Sequence, residues 1–272
     1  MRKLLLLALI PVVCQAGQLT HTTAEVEASV SGVGVWLDDG TTRTSYGTDF
    51  EAAYHASTAG STVFVGVGEY DIGSMNFTND GVSVVGAGRG VYDPSITNTV
   101  GGTRLVCDTH VTLLANDGYY ADFALKSSGT ADLLIASLSS PPSNLTFERV
   151  TFVGDTNNIH NAQFSGTNII VRGCESYHSG FFGFIIKGGQ NVLFEDCISS
   201  FNDSMQFLVK ASSDSESVTN VVIRGCTMQC DNKSGIILNA TSGGYDIDHV
   251  DIMNNTILDS SVGVYFQTPA RS

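Results

Sequence analysis

Lys187 and Lys210 end two runs of the same shape, Gly183-Phe-Ile-Ile-Lys187 and Gln206-Phe-Leu-Val-Lys210. Two later runs, Gly235-Ile-Ile-Leu-Asn239 and Gly263-Val-Tyr-Phe-Gln267, end on Asn239 and Gln267. If the runs are equivalent strands, their last residues stack into one outward column, with Gln163 at its foot. Two ammonium groups beside amides can hold sugar hydroxyls or a uronate carboxylate. A like charge one strand away also favours the neutral amine that a general base needs. Just upstream, Glu175-Ser-Tyr-His-Ser179 reads as a turn carrying Tyr177, which can stack on a sugar, and His178, which can move a proton. The equivalent turn one unit later carries Asp203, a carboxylate for substrate contact. Asp196 and Asp203 are the pair to consider for glycosidic hydrolysis, which needs two carboxylates about 5–10 Å apart. Against these roles stands a plainer reading: solvated lysines protecting a sheet face, and a surface histidine in a turn.

The elements that must position these groups come from a repeat. Asn144-Leu-Thr-Phe-Glu-Arg-Val150, Asn168-Ile-Ile-Val-Arg-Gly-Cys174, Asn191-Val-Leu-Phe-Glu-Asp-Cys197, Asn220-Val-Val-Ile-Arg-Gly-Cys226 and His249-Val-Asp-Ile-Met-Asn-Asn255 begin 24, 23, 29 and 29 residues apart. Periods of this size mark solenoids, whose units pack only on their neighbours. Apolar residues recur at every second position, so each unit holds a strand with one buried face. The runs that end on Lys187, Lys210, Asn239 and Gln267 give a second strand per coil. No 3.6-residue period appears, which excludes a strand-plus-helix repeat.

Columns read across the repeat make physical sense. The fourth position alternates Glu148, Arg172, Glu195, Arg224, the charge pairing that neighbouring strands prefer. The seventh residue of each unit reads Val150, Cys174, Cys197, Cys226, Asn255: a small side chain at a tight corner, where an Asn can bond backbone groups.

On these motifs the chain resembles the right-handed parallel β-helix superfamily, the pectate-lyase-like proteins. The N-terminal half agrees with that resemblance. Thr48-Asp-Phe-Glu51 fits a capping box opening a short helix. It is followed by Ser61-Thr-Val-Phe-Val65, Gly68-Glu-Tyr-Asp-Ile72 and Gly81-Val-Ser-Val-Val-Gly-Ala-Gly88, an opening similar to that of many such proteins. The implied fold is all-β: a right-handed parallel β-helix solenoid with a short N-terminal capping helix. In lyases of the superfamily a Lys or Arg commonly serves as base, which points to Lys187 and Lys210. Two departures weigh against a known activity. Tyr92-Asp-Pro-Ser95 shares only Asp-Pro with the alginate-epimerase motif, and the calcium-binding Asp cluster of pectate lyases is not recognisable. Gly86-Ala-Gly-Arg-Gly90 opens no helix and reads as a solenoid turn, not a phosphate loop.

Residues 1–16 have the charged start, apolar run and small-x-small end of a secretory signal, with cleavage after Ala16. A polar arm over 17–47, a β-helix domain over 48–268 and a short tail over 269–272 complete the organisation. Arg89–Gly102 is expected to be a loop. Losing Arg2 and Lys3 with the signal moves the net charge from −14 to −16. Such a chain repels nucleic acid and anionic lipid, and it disfavours an anionic polymer unless basic residues cluster locally; a neutral glycan or a cation-bridged uronate avoids that penalty. No other segment is apolar enough to span a membrane. Cys107, Cys174, Cys197, Cys226 and Cys230 remain, an odd number; the stacked three are expected as buried thiols, while a Cys226–Cys230 disulfide stays open. No metal ligand set stands out, and calcium is the one ion left open. The run ending on Gln267 is followed by no visible cap, so further coils or another chain are expected to cover it.

Two functional readings follow. One is a secreted protein that binds and cleaves a polysaccharide, lyase-like or hydrolase-like. The other is a non-catalytic surface, adhesion or spike-type module. A glycan is the expected partner in either case.

Overall fold

The computed structural model describes residues 32–267, apart from 128, 130–131, 137–138, 156, 158–159, 212–216 and 241–245. The leader 1–16, the start of the arm and the tail 269–272 lie outside the described residues. Within them the chain is a parallel β-helix, wound in the right-handed sense that crossovers between parallel strands adopt. Three sheets form its walls. Sheet A holds ten strands, and sheets B and C hold eight each. A full coil runs A, B, C: Thr167–Arg172, then Glu175–Tyr177, then Phe182–Lys187.

Each coil therefore has three strands, not two. The short runs Thr151–Val153, Glu175–Tyr177, Ile198–Ser200, Thr227–Gln229 and Thr256–Leu258 pair in register as sheet B. Three residues are too few to show a period of two, which is why the sequence presents Glu175–Tyr177 as turn.

The A-to-B corner and the start of the sheet A strand use one device, the left-handed backbone. Asn144, Asn168, Asn191 and Asn220 all have φ between 53 and 57°. Asn is the residue other than Gly that best tolerates this region. Their amides then bond up the stack: Asn168 Nδ2 donates to Asn144 Oδ1 at 2.9 Å, Asn191 to Asn168 at 2.9 Å and Asn220 to Asn191 at 3.1 Å. Asp117 ends the ladder by accepting from Asn144 at 2.7 Å. The charge column is in the expected register, with Glu195 between Arg172 at 2.7 Å and Arg224 at 2.8 Å. At the corner Cys174, Cys197 and Cys226 are buried free thiols, as are Cys107 and Cys230. Asn255 closes that column by accepting from Cys226 N and donating to Ile223 O, both at 2.8 Å.

Phenylalanines fill the interior. Phe147, Phe152, Phe164, Phe184, Phe194 and Phe207 are all at most 2% exposed and meet largely edge-to-face within and between coils. At the N-terminal end a seven-residue helix, α1 (Phe50–Ala56), lays Phe50, Ala53 and Tyr54 over the open coil, with Tyr54 stacked on Phe77. Its N-cap is Asp49, whose carboxylate accepts from Ala52 N at 2.9 Å; the cap is one residue later than the Thr48 of the expected box. The end of the arm is ordered as Val35–Asp38 and Arg43–Ser45, antiparallel strands that extend sheet A beyond Thr62–Val65. The last described coil leaves Val264, Tyr265 and Phe266 exposed.

A candidate glycan groove on sheet B

The sequence-predicted site divides in two. Lys187, Lys210, Asn239 and Gln267 do stack as one outward column of sheet C. Gln163 does not join them; it pairs with Ile185. Six residues separate Val153 from His160, against four between Tyr177 and Phe182 in the next coil, and the two extra residues shift the register by two. Tyr177 ends the sheet B strand Glu175–Tyr177 and His178 follows it, so both precede Phe182, the end of the sheet C strand opposite Lys187. The six-residue strand Phe182–Lys187 spans about 16 Å from end to end. The lysines are therefore not brought to Tyr177, His178 and Asp203. Asp196 and Asp203 flank the strand Ile198–Ser200 at its two ends.

What gathers around Tyr177 instead comes from residues 89–102. After Ser83–Gly86 the chain leaves the coil. A Cβ at Gly86 would collide with the Asp122 carbonyl and with Phe123, so only glycine lets the backbone pass. The segment then forms an antiparallel hairpin, Val91–Asp93 with Asn98–Val100, in place of the expected loop. Thr103 pins the return, accepting from Ala87 N at 2.8 Å and donating to Gly66 O at 2.8 Å. Arg104 ties the hairpin to the coil, giving Nη1–H to Thr99 O at 2.7 Å while pairing with Glu69 at 3.1 Å. The hairpin thus lies over the outer face of sheet B and reaches coils well above its own.

There it builds a groove of about 360 Å³ lined by Arg89, Tyr92, Glu175, Tyr177, Ser200 and Phe201, among others. That volume lies within the usual range of ligand sites, about 300–1,000 Å³. Tyr92 stacks on Tyr177, ring centroids 4.0 Å apart and planes 10° apart. Phe201 stacks on His178 at 5.5 Å, and Tyr92 lies 5.7 Å from the same imidazole. His178 and Phe201 both adopt left-handed backbone, φ 57 and 56°, an unfavourable state for large side chains. The next coil holds this turn in place: Asn202 Oδ1 accepts from Ser179 N at 2.9 Å, and Asn202 Nδ2 donates to Gln206 Oε1 at 2.6 Å. Phe201 stays 41% exposed, so a ring face remains open to a ligand.

The polar wall is tightly bonded. Arg89 Nη2 pairs with Glu175 Oε1 at 2.7 Å, and its Nη1 donates to Gly173 O. Glu175 also accepts from Thr151 Oγ1 at 3.2 Å. Burial pushes the Tyr92 phenol up to about 12, with Asp93 adding to the rise. Burial also lifts Tyr177, and nearby Glu175 adds to that rise. Both phenols are therefore neutral donors at ordinary pH. His178 is shifted the other way: burial lowers it below 6.5, against the opposing pull of Asp203 and Asp155. Two buried atoms of this cluster, Tyr92 Oη and His178 Nε2, have no hydrogen-bond partner. Among the described residues no group of three or more His, Cys, Asp or Glu is arranged to hold a metal ion, and no helix is long and apolar enough to cross a membrane.

Arg89, Tyr92, Glu175 and Phe201 were not read from the sequence as site residues. The one local signal was the length of the excursion after Gly86-Ala-Gly-Arg-Gly90, because long insertions on a solenoid gather on a binding face.

No family model matches the sequence, and neither does any curated protein. Solved structures show partial similarity. The A-module of the Azotobacter vinelandii mannuronan C-5 epimerase AlgE4 is 18% identical over 80% of this chain and 69% of that one, with TM-score 0.47. Pectate lyase Pel9A is 13% identical over 78% of this chain and 72% of that one, with TM-score 0.44. The enzymatically active domain of bacteriophage CBA120 tailspike protein 2 is 9% identical over 72% of this chain and 42% of that one, with TM-score 0.35.

Proposed function

We propose that the chain binds a glycan along the outer face of sheet B, under the hairpin Val91–Val100. The observation that carries this reading is the aromatic floor and wall. Tyr92 on Tyr177 and the open face of Phe201 offer apolar surface for the C–H faces of sugars, beside groups that suit hydroxyls. Glu175 and Arg89 are held rigid by their own bonds, and Ser200 lies one coil above Tyr177 in the same column. A polymer laid along the helix axis would meet one coil after another. Titration of the protein with a panel of polysaccharides tests the reading, with Tyr92→Ala and Phe201→Ala as controls. A glycan whose affinity is indifferent to both substitutions would remove the groove from consideration.

Cleavage is a second reading, favoured by one observation: a neutral, partly buried imidazole at His178 whose Nε2 lacks a partner. Such a group can accept a proton. Following unsaturated products and reducing ends in parallel distinguishes a lyase, a hydrolase and a binding module. Lys187 and Lys210 enter that assay as a separate pair, since they lie on sheet C. Secretion through residues 1–16 belongs to the same proposal, and the N-terminus of exported protein tests it.

A further inference from the structure

The groove's charges specify which glycan it accepts; this step rests on glycan binding in the groove. The guanidinium in its lining is Arg89, and it is committed to Glu175 at 2.7 Å and to the Gly173 carbonyl. That pair is neutral as a unit and is locked by the Thr151 hydroxyl. The other charges beside the aromatic cluster are carboxylates; on the same face of sheet B, Lys126 lies two strands below Tyr177, outside the lining. Asp93 sits on the hairpin beside Tyr92 and accepts from Ser95 N at 2.9 Å and Ser95 Oγ at 2.7 Å, which keeps it ionised. Asp203 is exposed on the turn after Phe201, and both it and Asp155 act electrostatically on His178. His178 adds no positive charge above 6.5, because burial keeps it neutral. Lys187 and Lys210 are a strand's length away. A uronate entering here would meet like charge and no uncommitted cation of the lining, within a chain of net charge −14.

We propose that the glycan taken by this groove is uncharged, a polymer of neutral or N-acetylated sugars, and that carboxylate-bearing polymers are rejected by Asp93, Asp155 and Asp203.

The test is calorimetric titration of the whole chain in EDTA, so that no divalent ion bridges carboxylates. The ligands are a β-glucan, a galactomannan and chitin oligosaccharides on one side, polygalacturonate and alginate on the other. At least one neutral ligand should bind about tenfold or more tighter than either uronate. Raising the salt should narrow that gap by improving the uronates. The double variant Asp93→Asn/Asp203→Asn should gain about fivefold in uronate affinity. Tyr92→Ala identifies the groove as the place of binding. If a uronate binds as tightly as the neutral ligands and Tyr92→Ala weakens it, the groove stands and the charge argument is overturned. If no ligand binds, or binding ignores Tyr92→Ala, the groove reading fails and this inference with it.

Discussion

His178 combines an unfavourable backbone conformation, a stacking partner in Phe201 and a lowered pKa. Because its folded-state value lies below 6.5, the unfolded chain binds the proton more readily. Its contribution to stability is complete above 6.5 and is lost as pH falls through the folded value. Urea midpoints of the wild type should therefore drop on acidification through that window, and His178→Gln should show a smaller drop. An equal drop in both would place the sensitivity elsewhere. At the same scale, Tyr92→Ala and Phe201→Ala should each weaken glycan binding about tenfold, about 1.4 kcal/mol, measured by calorimetry. Tyr177, His178 and Asp203 were legible as candidates because Tyr, His and Asp in a turn stand out from an apolar repeat. Tyr92 and Arg89 were not, since what makes them part of a site is contact with coils distant in sequence.

Between residues and molecule lie the strand, the corner and the hairpin. Gly183 is the second residue of the sheet C strand Phe182–Lys187, and a Cβ there would run into Ser199 Oγ, Asn202 Nδ2 and the Gln206 carbonyl. Those groups form the buried polar cluster under the groove, where Ser199 Oγ donates to Gln206 Oε1 at 3.0 Å. Gly183→Ala should cost about 1–3 kcal/mol in urea denaturation, since the two side chains are held by hydrogen bonds and the third group is backbone. The hairpin should behave differently. Replacing residues 91–100 by a short turn should leave the coil's circular dichroism and unfolding midpoint near wild type while abolishing glycan binding, because the excursion lies on a sheet that is already complete beneath it. Unfolding of the shortened chain would show instead that the hairpin holds the coil. The charge ladder is a weaker element: Glu195 is held down by Arg172, with Arg224 assisting, but all three are solvent-accessible and contribute about 0–1 kcal/mol per pair.

For the whole molecule, stability resides in the stacked interior. Phe194 touches Phe207 in its own coil and Phe184 and Phe164 in the two coils before it, and is fully buried. Phe194→Ala should cost about 3–5 kcal/mol by chemical denaturation, among the largest effects of any single truncation in the chain. A loss below about 1 kcal/mol would mean that the coils repack freely, unlike close-packed interiors. The sequence by itself determined the solenoid: a period-two pattern repeated every coil can bury its apolar face only by stacking, and the Asn, charge and Cys columns set the register through pairwise contact. It also determined the Lys187–Lys210–Asn239–Gln267 column, which follows from that register. The third strand of each coil was decided only in three dimensions, because three residues carry no period. The displacement of Gln163 came from two extra residues between strands, which a repeat reading absorbs without notice. The groove itself was decided by tertiary structure alone, since stacking Tyr92 on Tyr177 depends on where a hairpin falls after the coils have wound, and no local spacing encodes that contact.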